Sequence, residues 1–299
     1  MRVPKPRRHL QFSTRSDRPA STASMRRTDR LAAVGLVAGA AGLGLTAGGR
    51  WLLHRQAGIA RGLIGKPWGE EALNADRVYK KRYGDPIDLL ILGDSIAAGL
   101  GAEFPRETLG ARLSRKLAKE VHRSVRLRTA AIVGAESNRL PDQLASLPKR
   151  YRADVAVIVI GGNDVTHRIP ISESVRHLED CVIALRQMGT EVVVGTCPDL
   201  GALTPVPQPL RSLGARASRQ LALAQQEAVI AAGGRTVSLA TVVGPFFITN
   251  PEEMFSLDRF HPSSLGYKRT AEAMLPSVLA ALGQRSEVPF GHLAPPAPA

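Results

Sequence analysis

The feature that most constrains this chain is the regular alternation of short apolar runs with longer amphipathic segments beyond residue 67. Strands that alternate with helices in this way are typical of a parallel sheet with helices on both faces. We therefore predict an α/β domain with three layers, α/β/α, and a sheet of about five strands. The predicted strands are the apolar runs 89–92, 125–133, 155–160, 192–194 and 236–239. The predicted helices are the amphipathic segments 106–122, 141–151, 172–188, 210–232 and 264–282.

The first apolar run leads directly into Gly93-Asp94-Ser95. Open α/β sheets bind their ligands beyond the carboxyl ends of their strands, which is where Ser95 is expected. If a helix follows, its first N–H groups point towards whatever Ser95 contacts. A serine hydroxyl in that position is a candidate nucleophile. The tripeptide taken alone favours a turn with a helix cap, because Asp and Ser are common at both.

Further chemistry-bearing residues follow other predicted strands. Gly134 comes after the second strand, and Asn163 lies in a Gly-Gly-Asn-Asp stretch after the third. Asp258 and His261 lie three residues apart late in the chain. Each feature alone has an ordinary explanation as a turn, a loop or a surface pair. Together with Ser95 they supply a nucleophile, a base, a carboxylate to orient the base and neutral donors, which is what acyl transfer requires.

With these motifs in this order, the chain resembles the SGNH, or GDSL-type, hydrolase family of esterases and lipases. The matching motifs are Gly93-Asp-Ser95, Gly134, Gly162-Asn-Asp164 and Asp258-Arg-Phe-His261-Pro262. The resemblance covers residues 88–282 and implies a flavodoxin-like parallel sheet, the SGNH hydrolase fold. It departs from the family at Ile132, where many members carry Asn.

The resemblance implies a role for each of these residues. Ser95 is the expected nucleophile, His261 the base and Asp258 the carboxylate that orients the imidazole. The N–H groups of Ser95 and Gly134 and the side-chain amide of Asn163 are the expected oxyanion donors. The reaction requires no metal and no cofactor.

The expected function is therefore that of a serine esterase acting on carboxylic esters. Short acyl esters, lipid esters and O-acetylated sugar esters all remain open as substrates. A thioesterase, an O-acetyl-carbohydrate esterase and a non-catalytic binding module on the same fold are the alternatives. Asp94 and Asp199 are expected to be structural, and His122, His167 and His177 to be surface or core residues. His167 is the exception among them, because it follows Asn163 and is a candidate to line the pocket.

An unusual number of large apolar side chains precedes His261 in a chain with only 4% aromatic residues. They are Phe246, Phe247, Met254, Phe255 and Phe260. One interpretation is that they form an apolar wall for an acyl or alkyl group. The other is that they pin the loop to the sheet edge and fix His261.

The positive charge is concentrated at the amino terminus. The first 66 residues contain 13 Lys and Arg and 2 Asp, which accounts for +11 of the net +14. The remaining sequence has no basic patch with interleaved aromatic residues, so we predict no nucleic-acid partner. We interpret residues 1–30 as a disordered basic tail. Met25 is an alternative start, because a targeting signal follows it.

Residues 31–49 are uncharged and rich in Ala and Gly. At ~1.5 Å per residue they are long enough to approach the thickness of a bilayer core, so we predict a signal anchor or a cleavable signal peptide. A buried soluble helix is the third interpretation. The expected location is a domain that is membrane-anchored through this segment or secreted, and that lies outside the cytoplasm.

The remaining segments complete the predicted organisation. Residues 50–84 are a linker or juxtamembrane region with a first helix, 85–285 the SGNH hydrolase-type esterase domain, and 286–299 a Pro-rich tail. Cys181 and Cys197 lack metal-site spacing, and they are either small buried hydrophobes or one disulfide. The sequence does not predict the oligomeric state.

Overall fold

The computed structural model describes residues 48–64, 69 and 71–296. The chain divides into two units, Met1–Leu52 and Leu53–Ala299, and the sheet lies in the second. The predicted basic tail, and the predicted targeting segment up to residue 47, lie outside the described residues. Among the helices that are described, none combines the length and the apolar character needed to cross a bilayer.

Seven strands form one sheet in the order β1-β3-β2-β4-β5-β6-β7. The strands are β1 Val78–Tyr79, β2 Ile87–Gly93, β3 Val125–Thr129, β4 Val155–Val159, β5 Glu191–Gly195, β6 Arg235–Val237 and β7 His292–Leu293. The central five, β3-β2-β4-β5-β6, are parallel, so the predicted flavodoxin-like sheet is confirmed.

The two outer strands, β1 and β7, were not predicted and pair antiparallel with the edges of the sheet. They raise the number of strands from the expected five to seven. Each has only two residues, which is too short to show the alternation by which a strand is recognised in sequence. β1 lies in the predicted linker and β7 in the predicted Pro-rich tail, so both segments contribute residues to the sheet.

Helices follow the strands as the sequence pattern predicts. The longer ones are α1 over residues 48–64, α3 Leu109–Val121, α6 Ile171–Gln187, α7 Leu210–Ala231 and α11 Ser264–Ala281. The shorter ones are α2 Ser95–Ala98, α4 Leu140–Ala145, α5 Gly162–His167, α8 Leu239–Val242, α9 Gly244–Thr249 and α10 Pro251–Met254. Side-chain caps fix two of the long helices at their starts: Thr108 Oγ1 accepts from Ala111 N–H, and Ser263 Oγ accepts from Gly266 N–H.

The helices cover both faces of the sheet. Along β2, Leu89 and Ile91 face the layer of α3 and α11, whereas Leu90 and Leu92 face the layer of α4 and α6. All four side chains are buried, and each contributes about 1.5–3 kcal/mol relative to an exposed position. Since both faces are covered, the accessible positions of the central strands are at their ends. The two cysteines are buried in this core and free, so the disulfide alternative is not realised.

Candidate active site

The tight turn after β2 places Ser95 at the carboxyl end of the sheet. Gly93 has a φ of +130°, and a Cβ atom there would lie 1.9 Å from the carbonyl oxygen of Val159. Only glycine fits, because the two strands approach too closely for a side chain. Asp94 then caps α2 by accepting a hydrogen bond from Ile96 N–H at 2.9 Å. Ser95 becomes the first residue of a helix, at the carboxyl ends of the strands, where α/β proteins bind ligands.

Ser95 is joined to His261 and Asp258 by a continuous chain of hydrogen bonds. Ser95 Oγ lies 2.9 Å from His261 Nε2, and His261 Nδ1 lies 2.6 Å from Asp258 Oδ2. An ionised carboxylate can only accept, so His261 Nδ1–H donates to Asp258 and Nε2 is left to accept from the serine hydroxyl. The sequence separates Ser95 from His261 by 166 positions, and the fold brings them together as expected.

The carboxylate of Asp258 is held in one orientation. Its Oδ1 accepts from Ser256 Oγ at 2.8 Å and from the backbone N–H groups of Phe260 and His261 at 2.9 Å each. Burial alone raises the pKa of this group, but the hydrogen bonds and the charge of His261 outweigh it and hold the pKa below its ordinary value. Asp258 is therefore ionised. Its carboxylate can accept from His261 Nδ1–H whether the imidazole is neutral or protonated, and so it orients the ring in both states.

Asn163 and Gly134 lie after the carboxyl ends of β4 and β3, at the same end of the sheet as Ser95. Asn163 is in the first turn of α5, and its Nδ2 donates to the carbonyl oxygen of Ala135 at 2.9 Å. Gly134 has a φ of +79° in the turn immediately before Ala135. The side chain of Asn163 lines the cleft together with Ser95. Its amide has two hydrogens, so one is used for the neighbouring loop and the second is available to a ligand.

A buried network that the sequence did not predict fixes these loops. Asp164 accepts from the backbone N–H of Ser137, at 3.1 Å to Oδ1 and 3.2 Å to Oδ2, and from Ser174 Oγ at 2.6 Å. It thereby connects the loop after β3 to α6. The motif of the third strand end already contained Asp164, but nothing in sequence indicated its partners.

Asp94 lies in the same buried layer beneath the site. Its burial raises the pKa to about 6, against the opposing effect of hydrogen bonds from the N–H groups of Ile96 and Gly162. The expectation that Asp94 is structural agrees with its capping bond. Asp199 also caps a turn, because its Oδ1 accepts from Gly201 N–H at 2.8 Å.

Ser95 opens into a cleft with a largely apolar lining. The polar residues of the lining are Asp94, Ser95, Asn163, Asp199 and Thr270. The larger apolar residues are Ile96, Leu200, Leu203, Leu239, Val243, Phe247, Phe255 and Phe260. The cavity volume is about 70 Å³. Measured in the same way, a cavity for one water molecule needs roughly 10–15 Å³. The enclosed part therefore holds roughly five to seven groups of that size.

Three of the five large apolar residues that precede or adjoin His261 line this cleft. Phe247 and Phe255 meet edge to face with ring centroids 4.9 Å apart, and Phe260 lies beside them. Phe246 points elsewhere, with its ring 5.0 Å from Arg269 Cζ, and Met254 is buried outside the lining. The cleft also uses the turn at 198–203 after β5, which the sequence analysis did not identify as part of the site.

The remaining candidates lie outside the cleft lining. His167 is exposed, and its Nδ1 lies 2.6 Å from Glu136 Oε1. The departure at Ile132 leaves an exposed side chain, and its backbone N–H donates to Gly93 O at 3.1 Å. Among the described residues, no group of three or more His, Cys, Asp or Glu side chains is arranged to hold a metal.

Comparisons by sequence agree on one family. A profile of the GDSL-like lipase/acylhydrolase family matches residues 91–269. A GDSL-like esterase of Mycobacterium tuberculosis is 41% identical over 262 residues, which cover 84% of this chain and 83% of that protein. The residues matched by the profile include the whole cleft lining except Thr270.

Comparisons by structure give the same fold. A lipase from a goat rumen metagenome aligns with a TM-score of 0.53 and 20% identity, covering 67% of this chain and 98% of that one. An esterase from Pseudoalteromonas sp. aligns with a TM-score of 0.52 and 18% identity, covering 66% and 98%. At these identities the likeness shows the fold alone.

Proposed function

The chain belongs to the GDSL-like lipase/acylhydrolase family, and on that premise we propose that it is a serine esterase that hydrolyses carboxylic esters through Ser95, His261 and Asp258. The observation that carries the proposal is the hydrogen-bonded chain from Ser95 to Asp258 at the base of an apolar cleft. A serine hydroxyl paired with an imidazole, itself oriented by a buried carboxylate, is the arrangement that activates serine for attack.

The first half of the reaction transfers the acyl group to the enzyme. Ser95 Oγ attacks the ester carbonyl carbon while its proton passes to His261 Nε2. The C–O bond to the alcohol then breaks, and His261 returns the proton to the leaving oxygen. Asp258 keeps Nδ1 protonated throughout and stabilises the imidazolium that forms between the two transfers.

The second half releases the acid. Water gives a proton to His261 Nε2 and attacks the acyl carbon, and the bond to Ser95 Oγ breaks as the serine regains a proton. In both halves negative charge develops on the carbonyl oxygen. We assign its stabilisation to the N–H groups of Ser95 and Gly134 and to the amide of Asn163. As the first residue of α2, Ser95 has no helical acceptor for its N–H, which supports that assignment.

The cleft supports a short to medium acyl chain as the substrate group. Its lining is mostly apolar, with Asp94, Asp199 and Thr270 as the polar residues besides Ser95 and Asn163, and its enclosed volume matches a chain of a few carbons. Each methylene buried there is worth ~0.8 kcal/mol, or roughly fourfold in kcat/KM, until the cleft is full. We therefore propose that butyrate and hexanoate esters are hydrolysed faster than acetate esters.

The test is hydrolysis by the full-length protein of nitrophenyl esters of increasing chain length, together with acetylated xylan and an acyl-CoA. Labelling with a fluorophosphonate, followed by mass spectrometry of the peptide that contains Ser95, identifies the nucleophile. Ester hydrolysis with label at Ser95 is the expected result. A protein that hydrolyses no ester and takes no label would instead be a binding module. Preference for acyl-CoA would indicate a thioesterase, and preference for acetylated xylan an O-acetyl-carbohydrate esterase.

We also propose that residues 31–49 direct the esterase domain onto or across a membrane. The proposal is supported by the uncharged composition of this segment and by the basic residues before it. Fractionation of native cells is expected to recover the protein with membranes or outside the cytoplasm. Full-length protein found wholly in the cytosol would contradict the proposal.

A further inference from the structure

A fully buried glutamine binds the residue at the base of the Ser95 turn. Gln143 lies on α4, and its side-chain oxygen accepts from Gly93 N–H at 2.8 Å. Its side-chain nitrogen donates to the carbonyl oxygen of the same residue at 2.7 Å. One amide therefore satisfies both backbone groups of one residue.

This arrangement replaces a missing part of the sheet. The β2–β3 ladder is registered as far as Ile91 and Thr129, two residues before Gly93. Beyond that point, the segment after β3 still donates to Gly93 O through Ile132 N–H, but the N–H of Gly93 is bound by the glutamine. The side-chain amide stands in for a peptide group of the neighbouring strand. A buried backbone N–H requires such a partner, and the glutamine supplies it where the β2–β3 ladder has ended.

Gly93 is fixed on its other side as well. It is registered with Val159 of β4, and the next residue, Asp94, donates its N–H to Val159 O at 3.1 Å. The end of β2 is thus held between β4 and Gln143, two residues before Ser95. A misplacement of about 1 Å in a reacting group costs on the order of 10²-fold in rate, so the position of this turn has a direct effect on the chemistry.

A second buried glutamine serves as a comparison. Gln225 on α7 accepts from Cys197 N–H at 2.7 Å and donates to Ile160 O at 3.1 Å. It bridges the ends of two strands, β4 and β5. Gln143 instead binds a single residue, so its effect is concentrated on the turn that carries Ser95.

We propose that Gln143 is a positioning residue for Ser95, which it holds in line with His261 through the backbone of Gly93. This inference rests on the proposed esterase function. It predicts a change in kcat, with little change in KM, when the two hydrogen bonds are lost and the cleft lining is kept.

Two variants of the full-length protein test the proposal. Gln143→Met keeps the length of the side chain and removes both polar atoms. We expect kcat and the rate of fluorophosphonate labelling to fall by about tenfold to a hundredfold, with KM changed less than about twofold. In the labelling step Ser95 Oγ bonds to phosphorus, fluoride leaves and His261 takes the proton, so its rate reports on the Ser95–His261 pair without the later hydrolysis of an acyl-enzyme.

Gln143→Glu adds a second measurement, the pH dependence of kcat, which a loss of stability alone would not explain. The carboxylate form presents a second acceptor to Gly93 O, whereas the protonated form can donate to it as the glutamine does. Burial raises the pKa of such a carboxyl, so we expect the ratio of variant to wild-type kcat to rise at least threefold from about pH 8 to about pH 6. Taking the ratio removes the contribution of His261, which both proteins share.

The matched control is Thr190→Val. Thr190 is buried at the amino ends of β4 and β5, away from the site, and its Oγ1 donates to Ala153 O at 2.9 Å. Its loss is expected to lower Tm and leave kcat unchanged.

A folded Gln143→Met protein with kcat within about threefold of wild type would overturn the proposal. If that variant does not fold, Gln143→Glu decides, and a pH-independent ratio overturns it. Failure of the esterase assignment is recognised separately, because the wild-type protein would then take no label at Ser95.

Discussion

The polar floor and the apolar wall of the cleft are built in different ways. The floor consists of Ser95 and Asn163, which line the cleft, and of His261 and Asp258, which continue the hydrogen-bonded chain behind Ser95. Each of these side chains makes at least one hydrogen bond of 2.9 Å or less. The wall consists of the apolar lining residues, contributed by α2, the turn at 198–203, α8, α9 and the segment 255–262. It is held by packing, including the edge-to-face contact of two phenylalanine rings.

This difference between hydrogen bonding and packing predicts which kinetic constant each region controls. Hydrogen bonds are directional, so a change in the floor alters the groups that face developing charge and mainly lowers kcat. Contacts in the wall are non-directional and scale with buried area, so a change there alters kcat/KM in proportion to the substrate's apolar length. Substitutions in the two regions are expected to separate these effects.

The largest effect is expected from the floor, at Ser95. Ser95→Ala removes the attacking oxygen while leaving the capped turn in place, so kcat should fall by at least about 10⁴-fold with the fold intact. Steady-state hydrolysis of a nitrophenyl butyrate, with circular dichroism to check folding, measures this. Ser212→Ala is the control, because Ser212 is an exposed serine at the start of α7. A Ser95→Ala enzyme with near wild-type kcat would place the nucleophile elsewhere.

A smaller effect is expected at Asn163. Asn163→Ala removes a donor that acts mainly as charge develops on the substrate oxygen, so kcat should fall by roughly 10²–10³-fold with a smaller change in KM. The matched control is Asn138→Ala, since Asn138 is exposed and its amide donates to Glu136 Oε2 at 3.3 Å. If KM rises and kcat does not fall, Asn163 binds substrate and the oxyanion is stabilised by other donors.

The parts of the fold that were predicted are those with strong periodicity. Five apolar runs became the five parallel strands, and four of the five amphipathic segments became helices within three residues of their expected bounds. The fifth segment, 141–151, was predicted too long, because α4 ends at Ala145. The strands β1 and β7 have two residues each, which is too few to show the alternation of apolar and polar residues that identifies a strand. The short helices α8, α9 and α10 were missed for a related reason: four to six residues do not establish a helical repeat.

The floor was predictable and much of the wall was not. Ser95, Asn163 and His261 occur in recognisable motifs that sequence alone can place at the ends of elements. The positions of Leu200 and Leu203 in the wall depend on how the turn after β5 packs against the phenylalanine cluster. Such packing is set by tertiary contacts between segments distant in sequence. The partners of Gln143 and Asp164 are non-local in the same way.

The smallest predicted effect sharpens the comparison, because it concerns the wall alone. Phe247 lines the cleft from α9, and its neighbour Phe246 on the same helix does not. In the wild-type enzyme, kcat/KM should rise roughly fourfold for each methylene from acetyl upwards, until the cleft is full. Phe247→Ala removes apolar contact with the chain, so this gain per methylene should shrink to about twofold, while kcat for the acetate ester stays nearly unchanged.

Phe255→Ala should act in the same direction, since its ring packs on that of Phe247. Phe246→Ala is the control, because that ring faces Arg269 rather than the cleft, and it should keep the wild-type slope. The measurement is kcat/KM across acetyl, butyryl, hexanoyl and octanoyl esters for all four proteins. A flat wild-type profile, or a maximum for acetylated sugar, would mean that the wall only fixes the loop before His261. Equal slopes in Phe246→Ala and Phe247→Ala would mean that the acyl chain lies outside this cleft, although the floor could still carry the reaction.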